Sequence, residues 1–246
     1  MNVTVYTPSF NRRSWLKDCI ESVASQDYAH KRHLIVDDKS TDDTFEYVCS
    51  LMKNAENRPA PEGAEKLVLG YYKNSKLAVA RLLNNSGPSE ARNWAMKSSW
   101  HYTDVFGNLD SDDRYRPGYL SKLMEPFKHN EIGVVYCDYE VINHDSQTIV
   151  REFKEPFSRK RILEDCLLCN NSLIRKTVLE AVGGYDATLR VAEDWDLWLR
   201  VAQKALIYHV PECLLELHAG QHGSSVTVSP AEWAMCRRKI AEKMMG

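Results

Sequence analysis

Apolar positions along the chain alternate between two periods. Val3 to Thr7 forms a short apolar run closed by Pro8-Ser9. After polar Asn11 to Arg13, the residues Leu16, Cys19, Ile20 and Val23 recur at helical spacing. A second strand-like run, His33 to Val36, ends in Asp37-Asp38-Lys39-Ser40-Thr41-Asp42-Asp43-Thr44, where Ser40 or Thr41 suits a helix N-cap and acids fill the first turn. The helix that follows would bury Phe45, Val48, Leu51 and Met52. Strand, helix, strand, helix in this rhythm requires crossover connections, and so predicts an α/β fold with a mainly parallel central sheet and helices on both faces.

Residues 53–66 are polar, with two prolines and one glycine, and read as a surface loop before strand-like Leu67 to Tyr72. Leu77 to Leu83 adds another strand, and Asn84 to Pro88 forms a turn feeding a helix through Ala91, Trp94, Ala95 and Met96. A helix with Leu120, Leu123, Met124 and Phe127 inward precedes a buried strand, Ile132 to Tyr136. Residues 138–158 suggest a hairpin turning at Asn143-His144-Asp145-Ser146. Asn170 to Ile174 leads to a helix from Lys176 to Val182, stopped by Gly183-Gly184. Glu193 to Ala205 reads as a helix burying Trp195, Leu197, Trp198 and Val201. Leu206 to Val210 and Cys213 to Leu217 look like two strands, and a last helix runs from about Pro230 to Met245.

With no internal repeat or low-complexity segment, 246 residues fit one large domain spanning 1–246. A net charge of −2 disfavours nucleic acid as the main partner. No apolar run approaches the roughly 20 residues of a membrane-spanning helix. Met1 to Val5 lacks the basic and apolar segments of a secretory leader, and seven scattered cysteines are an odd number. Both features point to reduced thiols and a cytoplasmic location. Cys166 and Cys169 have the spacing of a metal knuckle, but no second pair follows, which favours packing.

The densest chemistry lies in Leu109-Asp110-Ser111-Asp112-Asp113-Arg114-Tyr115, three carboxylates within four positions after an aromatic-apolar stretch. Such acids repel one another unless a cation or several donors offset them. Mg²⁺ or Mn²⁺ is often held by one or two carboxylates, with substrate phosphates completing the shell. A solvated acidic turn is the alternative reading. Asp37-Asp38 sits at the C-terminal end of a strand, where open α/β sheets place ligands and a carboxylate can bond a base or ribose. Ser86-Gly87-Pro88 opens a helix that carries Arg92 and Asn93 in its first two turns, so phosphate could rest there or Arg92 could simply be exposed. Glu193-Asp194-Trp195-Asp196 begins another helix; the helix dipole alone favours acids there, and Asp194 and Asp196 fall on different faces. One of them at a cleft rim would suit a general base. His218 and His222 lie in a polar, glycine-containing segment, where imidazole could complete a metal site or serve only structure.

Taken in order, five stretches resemble family-two glycosyltransferases of the GT-A fold, a Rossmann-like nucleotide-diphospho-sugar transferase fold. They are Val5-Tyr-Thr7-Pro8-Ser-Phe-Asn11-Arg12, Val36-Asp37-Asp38-Lys-Ser40-Thr-Asp42-Asp-Thr44, Gly87-Pro-Ser-Glu-Ala91-Arg92-Asn93, Leu109-Asp110-Ser-Asp112-Asp113 and Glu193-Asp194-Trp-Asp-Leu-Trp. The resemblance covers roughly residues 3–225. It implies that Thr7, Pro8 and Asn11 line the nucleotide pocket, that Asp38 contacts the base, commonly uracil, and that Arg92 lies near base and diphosphate. It also implies that Asp110 approaches the ribose, that Asp112 binds Mn²⁺ or Mg²⁺, and that Asp194 of the Glu193-Asp194 pair is the catalytic base. His218 matches a histidine that some members use near the diphosphate or metal, with Asp113, Asp196 and His222 as further candidates. Two positions depart from the pattern. Glu216 stands where many members carry arginine, and the double acid Asp112-Asp113 leaves two carboxylates for the metal.

The implied reaction is inverting, metal-assisted transfer from a UDP- or dTDP-sugar to a hydroxyl of a glycan, lipid-linked or protein acceptor. Residues of about 1–115 would form the nucleotide half and about 116–230 the acceptor half, with acceptor choice in 138–170 and 206–230. A nucleotidyltransferase would carry a glycine-rich, basic phosphate loop where this chain reads Thr7-Pro8-Ser9-Phe10-Asn11. A sugar-nucleotide-binding module without catalysis would tend to lose Asp38, Asp110, Asp112 and Asp194, all present here. The last helix sets Arg237, Arg238, Lys239 and Lys243 beside Ile240, Met244 and Met245, either a peripheral membrane contact or the solvated face of a packing helix.

Overall fold

The computed structural model describes residues 1–220 and 229–245. The chain begins β1 (Val3–Ser9), α1 (Arg13–Ala24), β2 (Lys31–Asp37), α2 (Thr44–Leu51), β3 (Lys53–Arg58), β4 (Ala64–Tyr72), β5 (Ser75–Leu82), α3 (Pro88–Ser99) and β6 (Val105–Asn108). It continues β7 (Arg114–Tyr115), α4 (Tyr119–Met124), β8 (Ile132–Asn143), β9 (Thr148–Glu152), β10 (Leu173–Arg175), α5 (Lys176–Val182), α6 (Glu193–Ala202), β11 (Leu206–Ala219) and α7 (Pro230–Met245). The strands form one sheet in the order β3-β4-β5-β2-β1-β6-β10-β8-β11-β7, with β9 paired to β8. Its centre, β5-β2-β1-β6, is parallel, as is β8 with β11, while β3, β4, β7, β9 and β10 pair antiparallel.

Alternation along the central strands assigns side chains to two faces. Val3 and Val5 of β1 meet Cys19 and Val23 of α1, while Tyr6 points the other way into a cluster with Ala91 and Ala95 of α3 and Trp198 of α6. In β2, Ile35 packs with Phe45 and Val48 of α2, whereas Leu34 and Val36 join the α3 side. Helices α1, α2 and α4 therefore cover one face, and α3, α5, α6 and α7 the other.

Several local expectations change. Lys53 to Arg58 is an edge strand, not a loop: its side chains are exposed, but its backbone pairs with β4. Charged side chains on an edge strand are a common guard against pairing with other chains. The two strands expected after α6 are one, β11, kept continuous beside β8 by register shifts near Val210 and Cys213. Neither Ser40 nor Thr41 caps α2; the N-cap position is Asp43, and Asp42 Oδ1 accepts the Thr44 N–H at 3.0 Å. The hairpin turn at Asn143 is present, its Oδ1 accepting the N–H groups of Asp145 and Ser146. Glu216 is fixed by Arg116 at 3.1 Å, and Arg116 also joins Glu140. On α7, Cys236 and Ile240 are buried, Arg237 lies 5.1 Å over the Trp195 ring, and Lys243 pairs with Asp186 and Asp196. Two of its basic residues thus serve packing. Among the described residues no helix is long and apolar enough to cross a membrane.

Candidate active site

A cleft of about 790 Å³ opens beyond the C-terminal ends of β1, β2 and β6, a size suited to a small-molecule ligand. Five separate stretches reach it: Pro8 and Ser9 ending β1, Asp38 after β2, Gly87 and Arg92 at the start of α3, Asp110 and Asp112 after β6, and Glu193 and Asp194 opening α6. Crossover topology makes this possible, since each strand delivers the loop at its C-terminal end to the same rim.

Behind the rim, backbone donors fix the loops. Both oxygens of Asp38 accept N–H groups of the next crossover, from Ser86 at 2.9 Å and Gly87 at 2.8 Å. Burial nevertheless raises the Asp38 pKa, opposed by these two donors. Gly87 has φ 88° and ψ 168°, a region essentially restricted to glycine. Asp37 is fully buried, bonded to Arg81 and the Ser40 N–H, and takes no part in the cleft.

Arg92 is 5% exposed and ties three parts of the site together. Its guanidinium donates to Asp110 Oδ1 and to Glu193 Oε1, each at 2.9 Å, and lies 5.3 Å over the Tyr185 ring. Burial alone would favour loss of its proton, but the charges of Asp110, Tyr185 and Glu193 outweigh it and raise its pKa. Arg92 thus lines the cleft, as expected of a residue near the donor, and also clamps two acids together. Asn108 and Asn171 support the same loop from behind: the Asn108 amide donates to Asp110 Oδ1 at 3.0 Å and to Asn171 Oδ1 at 2.9 Å.

The double acid resolves into two environments. Asp112 faces the cleft, where burial and the charge of Asp110 push its pKa up to about 7, with Arg12 opposing. Asp113 is buried on the other side of the turn, accepting from the Asn171 amide at 2.7 Å and the His218 N–H at 3.0 Å. Burial, then Asp110 and Asp112, raise its pKa well above the usual range. Asp113 therefore anchors β11 to the acidic loop. His218 is not among the cleft-lining residues; its Nδ1 lies 2.8 Å from His144 Nε2, and burial lowers its pKa to about 4.

At the start of α6, Ala192 adopts a left-handed φ of 57° and turns the helix N-terminus into the cleft. Asp194 is partly exposed there; burial and the neighbouring Glu193 push its pKa up to about 6, against its own bond from the Trp195 N–H. Asp196 is excluded from this role because it is buried and paired with Arg200 at 2.7 Å and Lys243 at 3.0 Å. Two expected pocket residues, Thr7 and Asn11, are not among those lining the cleft. Thr7 is buried and shares a 2.8 Å hydrogen bond with His33 Nε2. Asn11, at φ 56°, accepts the Thr41 and Asp42 N–H groups and staples the first two loops together. His222 lies outside the described residues.

Among the described residues no group of three or more His, Cys, Asp or Glu could hold a metal alone. One cleft-facing carboxylate, with its charge opposed by burial and by Asp110, suits a Mg²⁺ or Mn²⁺ ion whose remaining ligands come from phosphate and water. Sequence reasoning missed Arg190 and Trp233, which also line the cleft, Trp233 with 46% of its surface exposed. The Trp233 position is unremarkable in the α7 pattern; only the docking of α7 beside α6 brings it to the rim.

Comparison with known proteins places these features in context. The model for glycosyl transferase family 2 matches residues 4–183. TuaG of Bacillus subtilis, named for a glycosyltransferase role in teichuronic acid biosynthesis, is 28% identical over 219 residues, covering 87% of this chain and 77% of TuaG. Chondroitin synthase of Pasteurella multocida is 22% identical over 210 residues, 85% of this chain but only 20% of that protein. Among solved structures, residues 1–349 of S. aureus TarS in complex with UDP-GlcNAc superimpose with a TM-score of 0.77 at 22% identity, covering all of this chain and 67% of that one. A mannosyltransferase from Pyrobaculum calidifontis in complex with GDP-Man and Mn²⁺ gives 0.65 at 16% identity, covering all of this chain and 64% of that one.

Proposed function

Because the chain belongs to glycosyl transferase family 2 and is a glycosyltransferase with a GT-A-like fold, we propose that it moves a sugar from a UDP-sugar to an acceptor hydroxyl by a single inverting displacement. The observation that carries this reading is the convergence of Asp112 and Asp194 on one cleft, with Asp194 pushed up to about 6. A base in that range is ionised at neutral pH yet retains affinity for a proton. Asp194 takes the acceptor's hydroxyl proton as the oxygen bonds to the anomeric carbon. The bond from that carbon to the donor phosphate breaks, and UDP leaves with the electron pair. Asp112 is the residue that would hold a divalent cation, which when bound would supply positive charge against the leaving diphosphate. Arg92 does not touch the donor in this scheme; it holds Asp110 and Glu193 in place, so that the donor loop and the Asp194 helix keep a fixed separation.

On the acceptor side, the exposed indole of Trp233 offers a flat apolar face to a sugar ring, beside the cation of Arg190. TuaG is named for teichuronic acid biosynthesis and chondroitin synthase for chondroitin, and we assign an acidic glycan as acceptor class. The seven cysteines, none in a disulfide, fit a reducing, cytoplasmic compartment.

The test begins with thermal shifts by UDP with and without Mn²⁺, followed by transfer from labelled UDP-sugars to uronate-containing oligosaccharides. Asp194→Asn should keep the UDP–Mn²⁺ shift and lose transfer. Transfer near the wild-type rate in that variant would overturn the base assignment.

A further inference from the structure

A second cavity of about 820 Å³ lies at the other end of the parallel strands, and nothing in the transfer reaction uses it. Its floor follows from strand register. Arg32 of β2, Lys76 of β5 and Tyr71 of β4 stand side by side in one row across the sheet. Two residues further along, Leu34, Ala78 and Leu69 form the next row on the same face. That is the face covered elsewhere by α3, α6 and α7, so groove and cleft open on the same side of the sheet. Tyr102, just beyond α3, closes one wall with Arg32 stacked 4.3 Å over its ring. Leu69, Tyr71 and Tyr102 are all exposed.

The charge arrangement points to a ligand. Like charges on directly opposed strand positions are unfavourable unless something compensates them. Arg32 and Lys76 occupy such positions, and among the described residues neither has an acidic partner. By contrast, Arg58 at the outer wall is paired with Glu56 at 2.6 Å. The backbone groups of the floor are consumed in the β2–β5 and β4–β5 ladders, so a peptide lying there could not join the sheet through its backbone. A saccharide has no such requirement, since its hydroxyls can remain in water while its ring faces cover tyrosine.

We propose that this groove binds a carboxylate-bearing oligosaccharide, with an acid group between Arg32 and Lys76 and sugar faces against Tyr71 and Tyr102. The ligand class rests on the acidic-glycan reading of the acceptor. Asp38 lies six positions beyond Arg32 along β2 and its end, about 20 Å at roughly 3.3 Å per residue. The groove would therefore hold a part of the glycan several units from the reacting end and keep it near the cleft.

The experiment titrates the full chain with hyaluronan hexasaccharide by calorimetry, with maltohexaose and hexaglutamate as comparison ligands. The hexasaccharide should bind, maltohexaose should not, and the double variant Arg32→Gln, Lys76→Gln should weaken binding at least tenfold. Tyr71→Ala should weaken it without altering the salt dependence. The UDP–Mn²⁺ thermal shift should persist in all groove variants. Absence of hexasaccharide binding, binding insensitive to Arg32 and Lys76, or equally tight hexaglutamate binding through the same residues would each overturn the proposal. Loss of the UDP–Mn²⁺ shift in the wild type would instead count against the donor reading, so the two failures are distinguishable.

Discussion

Replacing Arg92 by Met removes the charge while keeping much of the side chain's length. Asp110 and Glu193 would then face each other across the cleft without the cation that joins them at 2.9 Å on either side. Breaking a buried ion pair by deleting one partner typically costs about 3–5 kcal/mol. Here the side chains of Asp110 and Glu193 are 31% and 16% exposed and can regain some hydration, which lowers the expectation to about 2–4 kcal/mol. For a chain of this size each kcal/mol moves Tm by about 2–4 °C, so a fall of roughly 4–16 °C is expected. Urea denaturation of the wild type, Arg92→Met, Glu193→Gln and the double variant forms a cycle. Because the two groups share a direct charge-assisted bond, the coupling energy should be about 1–3 kcal/mol. A Tm within 1 °C of wild type for Arg92→Met, or additivity within about 0.5 kcal/mol, would refute the clamp.

The Asp194 pKa of about 6 predicts that transfer rises with pH around that value, and that the residual activity of Asp194→Asn, lower by about 10²–10⁴-fold, loses this limb in a pH–rate profile. Because the folded-state pKa is raised, this group binds its proton more tightly in the folded chain. Its stabilisation is present below about pH 4, fades as pH rises toward 6, and Asp194→Asn should flatten that part of a Tm-versus-pH curve. Asp112→Asn should weaken the Mn²⁺-dependent part of UDP binding at least tenfold in calorimetry, while Asp113→Asn, which acts through Asn171 and β11, should lower Tm and keep the Mn²⁺ dependence. Gly87→Ala meets no atom within 4 Å, so its cost is conformational, about 1–3 kcal/mol, and should appear as a lower urea midpoint with weaker UDP binding.

The layered α/β plan was legible because the central strands are short apolar runs and the helices between them carry one apolar face. Edge strand β3 was not legible: every side chain from Lys53 to Arg58 is exposed, so its hydrophobic pattern is that of a loop, and only β4's free backbone edge makes it a strand. At the site, motif order identified Asp38, Asp110, Asp112, Glu193 and Asp194 as cleft residues, and the structure brings them together. The same motifs also include Thr7, Asn11 and Asp113, which lie outside the cleft lining and bond to neighbouring strands and loops, a distinction that depends on side-chain direction and tertiary contacts. The role of Arg92 was hidden for a related reason. Its partners are distant in sequence, and no local pattern records which acid a buried guanidinium will meet.

The Arg92 clamp also has a consequence in time. Asp110 follows Arg92 by 18 residues, but Glu193 follows it by 101. At synthesis rates of about 5–20 residues per second, Glu193 emerges on the order of ten seconds after Arg92. During that interval the nascent chain can pair β1, β2, β5 and β6 and seat Arg92 on Asp110, with half of its guanidinium still unanswered. Arrival of α6 would supply the second acid and deliver Asp194 in the same event. The reactive centre would thus be completed by the contact that completes the charge balance, and a chain interrupted before α6 would have neither.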